Sequence, residues 1–251
     1  MAKWNKFPHD QKAITYTGDA LKKNWSALHM GDNEPYPKDT GIQEAWRQFH
    51  AGNFEAATKN GGTVAAKATT IYATHLETKD AAKVRHFQDA MELASTLIKA
   101  EPKNPNAHYQ YAYAAGRYSQ SVSVLKALKD GYGGKIKNAL ETAMKLDAKH
   151  ADAYTAMGAY HAEIIDKVGA LVGKLTYGAN KDAAVEHYEK AIKLNPASPI
   201  AHIEYANGLL MLFGDKEEAK AVKLYEKATK MKAKDAMDVL DIAMANDELE
   251  D

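Results

Sequence analysis

The side chains best suited to chemistry in this chain are its histidines, ten in 251 residues. His161-Ala-Glu163 and His202-Ile-Glu204 pair imidazole with carboxylate, the donor types of a zinc site. Residues two apart on a helix face different ways, so neither pair can chelate one ion by itself. No His-Glu-x-x-His or comparable spaced ligand set occurs. His161, His187 and His202 are therefore weak metal candidates whose expected role is packing. The chain has no cysteine, which excludes thiolate nucleophiles, disulfides and cysteine-ligated metals. Gly131-Tyr-Gly-Gly134 lacks the Gly-Lys-Ser/Thr ending of a phosphate loop and reads as a turn. No catalytic triad or carboxylate pair has a signature here, so the sequence points to no catalytic residue, no cofactor and no enzyme.

Binding chemistry is easier to find. Tyr109, Tyr113 and Arg117 recur at a spacing of four, which puts them on one helix face. Two phenol rings and a guanidinium can stack on, or hydrogen-bond to, a peptide, an aromatic group or an anion.

The elements that must position these residues are repeats. Tyr188-Glu-Lys-Ala-Ile-Lys-Leu-Asn-Pro196 is echoed by Tyr225-Glu-Lys-Ala-Thr-Lys-Met-Lys-Ala233, and a period of this length marks units that bury their apolar faces only by stacking. Gly52-x-Phe54-x-x-Ala57 resembles the turn between helices A and B of a tetratricopeptide repeat (TPR). Ala90, Ala94, Leu97 and Pro102 fall at the spacings of the second helix of that motif, and Met157-Gly158 at its Leu-Gly positions. The resemblance implies an all-α, right-handed TPR-like solenoid of antiparallel helix pairs. Regular repeats are expected at about 105–148, 151–196 and 199–233, with a capping helix over 235–248. Residues 1–39 read as a lead-in, helix and loop packed on the solenoid formed by 40–251, the whole being one structural domain. Within the lead-in, Asp10 is expected to cap a helix running to about Met30.

Two repeats are longer than the TPR norm. Between the Leu-Gly position and the second helix the consensus has 12 residues, whereas Ala112 to Ile136 spans 24 and Gly158 to Ala184 spans 26. Both additions end in Tyr-Gly, at Tyr132-Gly133 and Tyr177-Gly178, and stacking would set them side by side. The second keeps a helical stripe of Ile164, Val168, Leu171 and Leu175, and the first a looser one through Val122, Leu125 and Leu128. The expectation is therefore two elongated A helices.

Gly158-Ala-Tyr-His161, the extension closing in Leu175-Thr-Tyr-Gly178, and Lys193-Leu-Asn-Pro196 together resemble the TPR-type domain of the regulator of microtubule dynamics family and its bacterial relatives. The likeness is strongest over 151–214 and looser to the T-component proteins associated with TRAP transporters. The first resemblance implies protein tethering and, in one branch, lipid binding; the second implies ligand delivery. Neither carries a catalytic motif.

A TPR array binds through the concave surface of its A helices. Counting TPR positions places Tyr109, Tyr113, Arg117, Glu163, Ile203 and Asn207 there as partner-binding candidates. The leading expectation is a scaffold that binds a peptide or protein segment in this groove. The alternative is a carrier of a small apolar ligand or lipid, walled by Leu125, Tyr132, Val168, Leu171 and Tyr177 of the extensions.

Lys+Arg and Asp+Glu both number 33, so the chain shows no basic surplus and no nucleic-acid partner is expected. No run approaches the roughly 18 apolar residues of a membrane span. Met1 to Pro8 carries no apolar leader, which makes the cytoplasm the default, although a periplasmic protein without its leader would read the same. No motif fixes an oligomeric state.

Overall fold

A computed structural model of the chain describes residues 4–250. Residues 1–3 of the lead-in and Asp251 of the acidic ending lie outside the described residues. Among the described residues there are helices and no strand. They are α1 (Ala20–Leu28), α2 (Thr40–His50), α3 (Phe54–Ala57), α4 (Gly62–His75), α5 (Asp80–Ala100), α6 (Pro105–Val122), α7 (Val124–Lys129), α8 (Tyr132–Leu146), α9 (Ala151–Val168), α10 (Ala170–Val172), α11 (Lys181–Leu194), α12 (Pro199–Phe213), α13 (Glu218–Thr229) and α14 (Ala236–Glu250).

The longer helices pack as antiparallel pairs: α4 with α5, α6 with α8, α9 with α11, and α12 with α13, the short α7 and α10 lying within the second and third pairs. Each pair also packs on the next, giving the all-α solenoid of the TPR type. Local chemistry sets the helix starts. Asn104, Asn180 and Ser198 accept hydrogen bonds from the first exposed backbone N–H groups of α6, α11 and α12. Pro105 and Pro199 occupy first-turn positions that need no N–H donor.

Tyr188 of α11 locks two repeats together. Its ring is buried between α9 and α12 and stacks on Tyr205, with centroids 5.1 Å apart. A Cβ on Gly158 would lie 2.8 Å from that ring, and one on Gly208 would lie 2.5 Å from it. Only a hydrogen fits at either place, so the recurrent tyrosine phrase and the glycines of the A helices form one packing device.

Three expectations are revised. Asp10 does not start a helix to Met30; its carboxylate accepts Lys12 N beside a single 3-10 turn at Lys12–Ile14 whose N-cap is Gln11, and Gly18, at φ +52°, precedes the shorter α1. The two A helices are elongated, at 18 residues each against 15 in α12, but neither runs through its whole extension. Ser123 (φ +111°) separates α6 from α7, and Gly169 (φ +81°) separates α9 from α10. The break at Gly169 redirects the stripe, leaving Leu171 72% and Leu175 77% exposed.

The third revision concerns the ends. Beyond covering the last repeat, α14 reaches the N-terminal unit: Ala236 and Leu240 share a core with Trp25, Trp46, Phe49 and Tyr72. His50 Nδ1 is 2.9 Å from Asp235 Oδ2, and the Tyr16 hydroxyl donates to Lys234 O. The C-terminal helix therefore lies across the concave side and meets α2, where an open groove was expected.

Candidate functional site: a charged-rim cavity on the concave face

Helices α4, α6, α9, α12 and α14 converge on a cavity of about 130 Å³. Its walls are mainly apolar, from Tyr109, Tyr113, Leu128, Ile136, Tyr160 and Ile164. Val124, Ala127 and Leu128 bring the first extension into the wall, and Met237 of α14 closes the opposite side. Charged groups converge on the same space: Lys67, Arg117, Asp152, Glu163, Glu204 and Asp241.

Along α6 the rings of Tyr109 and Tyr113 stack 5.9 Å apart and nearly parallel. The Arg117 guanidinium lies 5.5 Å over the Tyr113 ring. Arg117 then donates to Glu204 Oε1 at 2.7 Å and to Gln120 Oε1 at 3.1 Å, and Gln120 donates to Glu163 Oε1 at 2.9 Å. This belt crosses from α12 to α6 to α9, tying three A helices at the rim. Burial of the Tyr109 hydroxyl pushes its pKa well above the usual phenol value, so it is a neutral donor.

The Lys67 ammonium donates to Asp32 Oδ2 at 2.7 Å, and Asp32 Oδ1 lies 2.8 Å from His29 Nδ1. Burial, the largest single influence, would raise the Asp32 pKa, but the Lys67 and His29 charges and the hydrogen bonds to both together outweigh it and hold the carboxyl well below the usual range. Asp152, which makes no direct ion pair with Lys67, is pushed up to about 6 by burial against the pull of the Lys67 charge. Burial also raises Asp241.

A second chain of hydrogen bonds fixes the N-terminal ends of α6 and α9. Thr63 donates to Glu34, Asn106 donates to Glu34 at 2.6 Å, and His150 Nε2 lies 2.8 Å from Asn106 Oδ1. His150 Nδ1 accepts from Ala153 N, capping α9. That cap requires Nδ1 to be unprotonated, so the ring is neutral with its proton on Nε2. Burial pushes its pKa down to about 4. An unfolded histidine titrates near ~6.5, so between about 6.5 and 4 the unfolded chain takes a proton that the folded protein refuses, and stability falls as pH falls. Glu34, raised to about 7 by burial, acts in the opposite direction: its contribution is present below an unfolded pKa of ~4.3 and is lost as pH rises toward 7. His150→Asn keeps a capping oxygen and removes only the imidazole's share. Urea unfolding at pH 7 and pH 5 is expected to show the wild type losing roughly 1–2 kcal/mol more than the variant. Equal losses would contradict the neutral, buried ring.

The remaining sequence candidates disperse. Ile203 is fully buried between α12, α13 and α14, so it faces the repeat core and not the groove. Asn207 accepts the Tyr225 hydroxyl within its own repeat. Among the extension residues, Leu125 and Leu171 point to solvent, Tyr132 packs on Tyr118 and Val168 packs on the main core. Tyr177 lies against Gly133, where a Cβ would come within 3.2 Å of its ring, so the two extensions do meet, at a glycine that lines the cavity although Tyr177 itself does not. His161 and His187 stack with centroids 5.6 Å apart, and His202 Nδ1 donates to Ser198 O, away from that pair. Among the described residues no three His, Asp or Glu side chains gather as a metal site.

Asp152 falls on the concave face by the count of TPR positions, whereas Lys67 and Asp241 escaped the sequence reading. Both left a trace. Lys67 is the only Lys, Arg, Asp or Glu in Gly62–His75, whose residues 63–73 are all buried, and Asp241 interrupts the apolar run Val239-Leu240-Asp241-Ile242-Ala243.

The model for the regulator of microtubule dynamics proteins 1–3 matches residues 56–250. The chain belongs to this family. The match begins within α3 and takes in every helix that lines the cavity. No curated protein matches the chain. Among solved structures, a thermophilic TPR protein of Thermus thermophilus is similar at 18% identity and a TM-score of 0.55, covering 82% of this chain and 97% of that one. At that identity the likeness establishes the fold. No helix among the described residues is long and apolar enough to cross a membrane.

Proposed function

We propose that the protein is a non-enzymatic interaction scaffold that holds a peptide or protein segment on its concave side, with one side chain of that segment seated in the cavity. The cavity's size carries this reading. About 130 Å³ matches a benzene-sized group, for which ~150 Å³ suffices, and falls short of the ~300–1,000 Å³ of pockets that enclose whole ligands. The rest of a longer ligand must lie outside, along the partly exposed Leu210 and Met211. TPR-type architecture, whose usual role is protein interaction, supports the same reading.

A displayed random-peptide library tests it. Peptides selected on the wild type are expected to bind Ala159→Leu, whose larger side chain fills the cavity, at least tenfold more weakly. Selected peptides indifferent to that change would overturn the reading. The carrier alternative draws support from the wall contributed by Val124, Ala127 and Leu128. Native mass spectrometry would favour it by showing a co-purified small molecule lost in the same variant.

A further inference from the structure

The charges around the cavity do not balance. Two cations and four carboxylates line it. Lys67 is committed to Asp32, which lies behind the wall, and Arg117 to Glu204. Both cations that line the cavity thus make their ion pairs elsewhere, and Asp152, Glu163 and Asp241 form a direct pair with neither, although the Lys67 charge reaches Asp152. Asp241 is 1% exposed; one oxygen lies 3.4 Å from His75 Nε2, while Oδ2 has no hydrogen-bond partner among the described residues. Glu163 Oε1 takes the Gln120 amide, but its Oε2 is buried and equally unpartnered. Buried acceptors without donors cost free energy until something supplies a proton donor or a charge.

The walls around these acceptors include the tyrosines 109, 113 and 160, whose ring faces attract cations. An anion would meet three carboxylates that neither lining cation pairs directly. A neutral hydrocarbon would leave Asp241 Oδ2 and Glu163 Oε2 desolvated and unpaired. A group with an apolar stem and a positive head satisfies both the walls and the acceptors.

We propose that the cavity is a cation-selective subsite, and that the side chain seated there is a lysine or arginine of the partner segment. This rests on the scaffold reading above. The stem lies against Leu128, Ile136 and Tyr109, and the charged head reaches Asp241 and Glu163. Lys67 and Arg117 set the limits of the subsite by holding Asp32 and Glu204 in internal pairs.

The test uses n-pentylammonium as a lysine side-chain probe, with 1-pentanol and hexanoate as neutral and anionic counterparts, followed by amide NMR titration of the full-length protein. The ammonium is expected to perturb resonances of α6, α9 and α14, and to bind at least tenfold more tightly than either counterpart. Asp241→Asn and Glu163→Gln, which keep the side-chain shapes, are each expected to weaken the ammonium at least fivefold and to leave 1-pentanol within twofold. The Glu163→Gln arm keeps the test decisive if Asp241→Asn disturbs folding. Equal or tighter binding of 1-pentanol or hexanoate in the cavity would overturn the cation assignment while leaving the scaffold reading intact. So would selected peptides that need the cavity yet tolerate replacement of every basic residue. Absence of ammonium binding at the cavity overturns the assignment as well. Failure of the scaffold reading has a different signature: selected peptides that ignore Ala159→Leu.

Discussion

Tyr188→Ala is expected to destabilise the protein by about 3–5 kcal/mol, the cost typical of deleting a fully buried aromatic ring. That is a large fraction of the ~5–15 kcal/mol that holds an ordinary domain together. The size follows from where the ring sits. It fills the space left by two glycines on neighbouring A helices and stacks on Tyr205, so its loss opens the contact between repeats and not merely one helix. Gly208→Ala should cost about 1–3 kcal/mol in the wild type, because its Cβ falls 2.5 Å from the Tyr188 ring and one partner must shift. In the Tyr188→Ala background the clash is gone. The same substitution should then become neutral or stabilise by up to ~1 kcal/mol, the helix-propensity gain of alanine over glycine. Urea unfolding of the four proteins reads this cycle. Additive effects of the two substitutions would show that Tyr188 and Gly208 are not the coupled pair described.

Lys67→Met should be equally damaging, for an electrostatic reason. The ammonium is buried in α4 and neutralises Asp32, itself almost inaccessible and already bonded to His29. Removing one partner strands a buried carboxylate, which typically costs ~3–5 kcal/mol. Asp32→Asn combined with Lys67→Met removes both charges, and most of the lost stability should return, since a buried pair replaced as a pair is often near neutral. A double variant as unstable as Lys67→Met alone would mean that packing, not charge, sets the cost.

The helical repeats were legible because they are local. The Tyr-x-x-Ala phrases, the Leu-Gly positions and the capping Asn and Ser residues each act within a few residues, and α6 to α13 follow them. What was not legible depends on how far-separated pieces meet. Nothing near Asp235 announces that it bonds His50, 185 residues away, or that α14 crosses the concave face to reach Trp46. Counting positions along an A helix could place Tyr113, Arg117 and Glu163 beside a common space. It could not foresee that Ile203 would be claimed by α13 and α14, because that packing depends on the C-terminal helix. The extensions misled for a simpler reason: the stripe from Ile164 to Leu175 assumes one continuous helix, and a positive φ at Gly169 ends the periodicity. Lys67 and Asp241 were readable as charges in apolar surroundings, but their meeting at one cavity was not.

The proposed scaffold role stands or falls on where a partner segment sits. Amide chemical-shift mapping of a library-selected peptide on the full-length protein measures this directly. The largest shifts are expected at Tyr113, Arg117, Ala159 and Met237, which line the cavity, with the exposed Leu171 and Leu175 unmoved. Shifts confined to Leu171, Val172 and Leu175, with the cavity residues silent, would contradict it.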